Sequence, residues 1–276
     1  MHPTSRWRAA LPVLRPLGAF FLWNVATWGA LFGLVQRGRP VLGLAAAALL
    51  FAAFVRVYLL RAGDPGERRR WATLRLRPLD RDGVLGTLMA VPVLFALAWS
   101  LGEVWTRLVP VPPETFRPFE ALTRTAEGRL SVVLFAMVAA PIVEELVFRG
   151  LVQRPLERRW GPAPAIAFTS LLFALIHALP WVLPIHLLLG VAFGFVVYAT
   201  RSVWAGVLLH AANNSLAALG IGAEAPELPP TVWRTGFTAD FWTALALLAL
   251  AALAARALGL RMLRAGHRRR AAARPG

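Results

Sequence analysis

The 276-residue chain contains no cysteine and no lysine. Without cysteine there are no disulfides, no thiolate metal sites and no cysteine nucleophile. Without lysine, all thirty basic residues are arginine, and the formal charge of +16 is theirs alone. Charge of either sign is scarce: 16% of residues are charged against 58% hydrophobic, and the mean hydropathy is +0.59. That balance excludes an ordinary soluble domain and points to a chain that crosses a membrane several times. Nucleic acid is a poor partner for the positive charge, because the arginines flank apolar runs instead of forming one basic domain.

Apolar windows long enough for a bilayer core of roughly 30 Å recur with short polar breaks. They run from Leu17 to Val35, Pro40 to Leu60, Val84 to Gly102, Leu130 to Val147, Ala163 to Leu179, Ile185 to Thr200, Val203 to Gly220 and Phe241 to Leu258. The expected fold is therefore an all-α, polytopic transmembrane bundle of about eight spans. The first window follows Arg6, Arg8 and Arg15 as a signal peptide would, but it is long and lacks a small-x-small cleavage site, so it reads as a retained helix. With eight spans both termini share one side, which collects 21 arginines against 7 opposite, with Arg56 and Arg256 inside spans. The positive-inside rule assigns that side, and both termini, to the cytoplasm of a multi-pass protein of the cell membrane. The basic loop 61–82 and the basic C-terminal tail are expected to contact anionic lipid headgroups. The chain divides into residues 1–129 with the first three spans, a core at 130–220 and a last span with its tail at 221–276.

Ionisable groups that did not go to a loop carry the information in such a chain. All four aspartates lie in loops or at a span edge, and the carboxylates at depth are Glu144 and Glu145 in VAAPIVEELVFRG. His177 in SLLFALIHAL, His210 in GVLLHAANNS, Asn213 and Asn214 join them, with His186 near the start of the sixth span. On a helix, residues four apart share a face. Glu145 and Arg149 therefore form an expected ion pair, and Glu144, about 100° round the helix, is left without a cation on its own helix. Phe173 lies beside His177, and His210 beside Asn214, by the same rule. The midpoint between Glu144 and His177 falls at Trp160 and Gly161, where WGP signals a turn. If the fourth helix continues to about residue 160, the two side chains sit abreast; His210 reaches that depth only if its hairpin is staggered inward.

Each feature also has a plain structural reading. Glu145 with Arg149 serves equally as a packing ion pair, and a phenylalanine four residues before a histidine is unremarkable in a chain with sixteen phenylalanines. HAANN is more informative, because asparagine occurs only three times. Aspartyl protease chemistry is excluded, since it needs two carboxylic acids sharing a proton and no aspartate is central to a span. Ser170 and Ser215 lack a glycine-rich nucleophile turn and read as packing residues.

The ordered triplet EELVFR, FALIH and HAANN resembles the EExxxR, FxxxH and HxxxN motifs of the CAAX protease and bacteriocin-processing (CPBP) intramembrane proteases, relatives of the type II CAAX prenyl endopeptidases. The resemblance covers about residues 130 to 216 and implies hydrolysis of a peptide bond inside the membrane. In that reading Glu144, with His177, activates a water; His210 and Asn214 donate hydrogen bonds to the developing oxyanion; Glu145 and Arg149 support Glu144; and Phe173 packs the site. The implied substrate is a membrane-embedded or lipidated peptide or protein. The residue types also suit zinc, with two histidines, a glutamate and a water, but HExxH is absent and the family resembles glutamate-dependent enzymes, so no metal is expected. Two other classes remain open: a proton- or ion-coupled transporter using the same buried groups, and a noncatalytic immunity protein that binds a membrane peptide.

Overall fold

The computed structural model describes residues 3–56, 74–112, 125–218 and 229–272. Most of the expected basic loop 61–82, and the ends of the expected spans at Leu60 and Gly220, lie outside the described residues. Among the described residues every element is helical. In chain order these are α1 (Pro3–Gln36), α2 (Pro40–Phe54), α3 (Arg81–Leu108), α4 (Ala126–Trp160), α5 (Pro162–Ile176), a single 3₁₀ turn (Pro180–Val182), α6 (Leu183–Thr200), α7 (Val203–Ala218), the short α8 (Val232–Thr235) and α9 (Ala239–Ala272). Each of the eight apolar windows coincides with a helix. Among the described residues, five helical stretches, within α1, α3, α4, α6 with its preceding 3₁₀ turn, and α9, are long and apolar enough to cross a membrane; α2 and α5 are shorter apolar helices.

Local sequence explains where the helices start and stop. The Asp80 carboxylate accepts the Gly83 amide at 2.8 Å to cap α3, and the Thr125 hydroxyl accepts the Gly128 amide at 3.0 Å to cap α4, each satisfying an amide that has no partner within the helix. At the end of α4, Gly161 takes φ = +83°, a conformation open to glycine, and Pro162 then opens α5, where its missing N–H costs nothing. The WGP turn is thus where the sequence places it, and α4 runs on to Trp160 as the hairpin requires.

Helix α4 is not uniformly α-helical. Phe135–Ala139 and Leu146–Gln153 are widened into π turns, and each ends two residues before a proline, Pro141 and Pro155. A proline withholds the N–H that the carbonyl four residues earlier would accept, and widening the preceding turn is one way for a helix to absorb that loss. Between the two π segments lies the α-helical Ala140–Glu145, which carries both buried glutamates. Such bulges concentrate at functional sites because they re-aim side chains.

An aromatic chain crosses the bundle from α1 to α7. Phe20 meets Phe148 edge-on at 5.3 Å between centroids, Phe148 meets Phe173 at 5.5 Å, Phe173 meets Phe193 at 6.0 Å, and Phe193 stacks on the His210 ring at 4.5 Å. Edge-to-face pairs of this kind add about 0.5–1.5 kcal/mol each beyond the area they bury. Helix α9 packs along α3, and α7 packs against α3, α4 and α6. Leucines such as Leu22, Leu49, Leu250 and Leu253 face outward, as the lipid-facing surface of a membrane bundle requires.

Candidate active site

Two ladders of contacts set the register around the glutamates. On α5, Thr169 reaches Gln153 of α4 at 3.5 Å, and one turn later the Phe173 ring lies 4.9 Å from the Arg149 guanidinium. Each step of four along α5 matches four back along α4, so His177 comes level with Glu145. On α6, which runs in the same direction as α4, the Gly190 carbonyl accepts from Arg149 Nη2 at 2.9 Å and the Gly194 carbonyl accepts from Gln153 Nε2 at 3.0 Å. One turn back on both helices brings His186 to the level of Glu145.

Glycine permits these approaches. A methyl group on Gly190 would lie 2.9 Å from the Ser170 backbone, and one on Gly194 would lie 2.7 Å from the Gln153 side chain. Close helix contact through small residues four apart is a standard packing device in membranes. On α7, a methyl on Gly206 would collide with the Glu145 carboxylate and come within 2.7 Å of Val197. Gly206, His210 and Asn214 follow at intervals of four and line one edge of α7.

Glu145 and Arg149 are fully buried, and Arg149 Nε lies 3.3 Å from Glu145 Oε2, the intrahelical pair expected from spacing. The guanidinium is enclosed by three phenylalanines, at 4.9 Å from the Phe173 ring and 5.8 Å from both Phe148 and Phe193. Aromatic faces stabilise a desolvated cation by roughly 2 kcal/mol, which helps offset the loss of water around it.

His210 is drawn in between the two glutamates. Its Nδ1 lies 3.3 Å from Glu145 Oε1, and its Nε2 lies 4.0 Å from Glu144 Oε2. The inward stagger that sequence left open is therefore present. Glu145 also has two partners where spacing supplied one, Arg149 and His210. A carboxylate only accepts, so in the neutral ring Nδ1 carries the proton to Glu145 and Nε2 is a bare acceptor turned toward Glu144. Glu144 is 7% exposed, and its Oε2 is a buried oxygen with no hydrogen-bond partner.

His177 and Asn214 complete the expected set. His177 Nδ1 donates to the Phe173 carbonyl at 2.7 Å, and its ring lies 4.8 Å from the Phe173 ring, leaving Nε2 as an acceptor. Asn214 Nδ2 donates to the Ala136 carbonyl at 2.8 Å, within the first π turn of α4, and Asn213 Nδ2 donates to Asn214 Oδ1 at 3.3 Å. These two bonds orient the Asn214 amide and leave it a second N–H. His186, which spacing did not single out, brings its ring to 4.2 Å from that of His177, with its own Nδ1 donating to the Val182 carbonyl at 3.1 Å. The signal was present: the midpoint of His177 and His186 falls at Trp181 and Val182, in the turn between Pro180 and Pro184, the same arithmetic that paired α4 with α5. Among the described residues no three His, Asp or Glu side chains converge as a metal-ligand set.

The fold and this site define a helical membrane protein with glutamate, arginine and histidine side chains clustered inside its bundle. Residues 126–216, the segment that holds every one of these motif residues, match the family model described as type II CAAX prenyl endopeptidase Rce1-like. No curated protein and no solved structure matches the chain. The family match supports intramembrane endopeptidase as the general class of activity.

Proposed function

We propose that the protein hydrolyses a peptide bond of a membrane-associated peptide or protein, using a water activated by Glu144 and His177. The observation that carries this reading is Glu144 itself, a buried carboxylate oxygen with no hydrogen-bond partner, 4.0 Å from His210 Nε2. Glu145 differs in that its Oε1 accepts from His210 and its Oε2, though without a hydrogen bond, pairs with Arg149 on its own helix. In the mechanism, Glu144 takes a proton from the attacking water while the His177 Nε2 lone pair orients it, and Glu144 then gives that proton to the leaving nitrogen as the C–N bond breaks. His210 donates to the oxyanion through Nε2, a role for the doubly protonated ring, while Glu145 accepts from the other ring N–H. The second N–H of Asn214 supplies the other oxyanion donor; such donors each contribute about 3–4 kcal/mol. Arg149 holds Glu145 in place.

The reaction needs no metal in this reading, because Glu145 is committed to Arg149 and His210, and Glu144 is wanted as the base. The site belongs in the cell membrane of a chain whose termini face the cytoplasm, as the distribution of arginines supports. The test is to compare the membrane proteomes of cells making the wild type and Glu144→Gln, searching for peptide termini that only the active form creates. Purified protein in liposomes should then cut the identified substrate. Glu144→Ala and His177→Ala should abolish cleavage, Arg268→Ala on the basic tail should retain it, and a chelator should leave it unchanged. Cleavage that survives both site variants rejects the assignment, and proton flux dependent on Glu144 without cleavage would mark a transporter.

A further inference from the structure

A polar cavity of about 240 Å³ lies at the end of the bundle where α4 meets the α6–α7 turn. Arg75, Arg154, Glu157, Arg158, Tyr198 and Arg201 line it. We propose that this cavity is a binding site for a phosphate group, of the kind that an anionic phospholipid presents at the membrane surface. The inference is independent of the peptidase reading, because none of the six residues belongs to the constellation around Glu144.

Among the described residues, four guanidiniums and one carboxylate line the cavity. The carboxylate does not serve them all. Glu157 Oε1 accepts from Gln153 Nε2 at 2.7 Å and from Arg75 Nη1 at 3.2 Å, and Glu157 Oε2 accepts from Arg75 Nη2. Arg75 is 5% exposed, and the Nε atoms of Arg75 and Arg154 are buried without a hydrogen-bond partner. Arginine presents its donors in a planar fork that matches the oxygens of phosphate, so a cluster of them with unmet donors is the chemistry that recognises that group. The volume is below the roughly 300 Å³ at which pockets for drug-sized molecules begin, which suits a single headgroup phosphate.

The chain holds these arginines together at some cost. Arg75 and Arg201 both adopt left-handed backbone, at φ = +57° and +58°, a conformation that costs a non-glycine residue of order 1–3 kcal/mol and persists only where the surroundings impose it. The surroundings are a stitched pair of turns: the Val203 amide donates to the Arg75 carbonyl at 3.0 Å, and Ser202 Oγ donates to the Arg77 carbonyl at 2.6 Å. The level is also right. Exposed Trp160, at the end of α4, lies six residues or roughly 9 Å beyond Arg154, and tryptophan favours the headgroup region.

The test uses the full chain in nanodiscs of phosphatidylcholine doped with phosphatidylglycerol, with retained lipid counted by native mass spectrometry after mild delipidation. The wild type should retain phosphatidylglycerol in preference to phosphatidylcholine. Arg154→Gln with Arg158→Gln should weaken that preference about tenfold, the equivalent of about 1.4 kcal/mol, while Arg268→Gln on α9, which matches the charge change of Arg158→Gln alone, should not. Arg158 is exposed, so Arg158→Gln alone gives a smaller loss in a protein that folds even if the double variant does not. Displacement of the lipid by inorganic phosphate would identify free phosphate as a competent ligand, and retention against it would identify the headgroup. The proposal is overturned if the wild type shows no preference and inorganic phosphate does not raise its unfolding temperature, or if Arg268→Gln loses as much as the double variant.

Discussion

The two polar regions of α4 meet excess charge in opposite ways. Around Glu144 and Glu145, two carboxylates face one arginine and one histidine, and every one of these groups is buried or nearly so. Around Glu157, among the described residues, four arginines and one carboxylate line a cavity. In a buried centre, charge is balanced chiefly by a neighbouring side chain or by a proton, so the region is suited to proton transfer. At a rim with room for solute, it can be balanced by an anion from outside. One helix face links the two, stepping by four from Glu145 through Arg149 and Gln153 to Glu157, with α6 carbonyls accepting from the middle pair.

Breaking the buried centre at Glu144 should have the largest effect on activity and a small one on stability. Glu144→Gln removes a general base and should reduce cleavage by about 10²–10⁴-fold, with little change in the thermal unfolding midpoint, since Glu144 Oε2 gives up no hydrogen bond. Glu145→Gln should invert that pattern. It leaves the Arg149 guanidinium buried beside a neutral amide, and breaking such a pair costs about 3–5 kcal/mol; adding Arg149→Met should recover much of the loss in thermal unfolding. If Glu145→Gln unfolds no more readily than Glu144→Gln, the division of labour between the two glutamates is wrong.

Gly206→Ala tests the contact between α7 and the pair without touching a charge. Its methyl should displace the Glu145 carboxylate and destabilise the protein by about 1–3 kcal/mol, with activity falling alongside, whereas Gly18→Ala, which meets nothing within 4 Å, should be silent by both measures. The smallest effect is expected at His186. His186→Phe retains a ring against His177 and should lower cleavage only a few-fold, so a loss matching His177→Ala would move His186 from a stacking partner to a working member of the site.

Sequence alone carried the helix-level facts, because they depend on spacing within one segment. Eight apolar windows became eight helices, WGP became the α4–α5 turn, and EELVFR put Glu145 within reach of Arg149, since a period of 3.6 residues places positions four apart on one face whatever surrounds them. What lies between helices was legible only through hairpin midpoints: the WGP midpoint located the α4–α5 turn, with His177 at the level of Glu145 where spacing had set it abreast of Glu144, and the same reasoning was overlooked for His186.

The rest was decided by tertiary structure. His210 enters the gap between the two glutamates because Gly206 lets α7 approach the Glu145 carboxylate and because the π turns before Pro141 and Pro155 alter the register of α4. Neither the stagger of two helices nor the width of a turn is written in apolar periodicity. The four arginines of the rim come from three separate segments, and the hydrogen bonds that join Arg75 and Arg77 to the turn after Arg201 span about 125 residues. The sequence by itself determined that charged groups would lie inside this membrane bundle and which of them share a helix face. Only packing decided which of them meet, because that depends on how closely neighbouring backbones can approach.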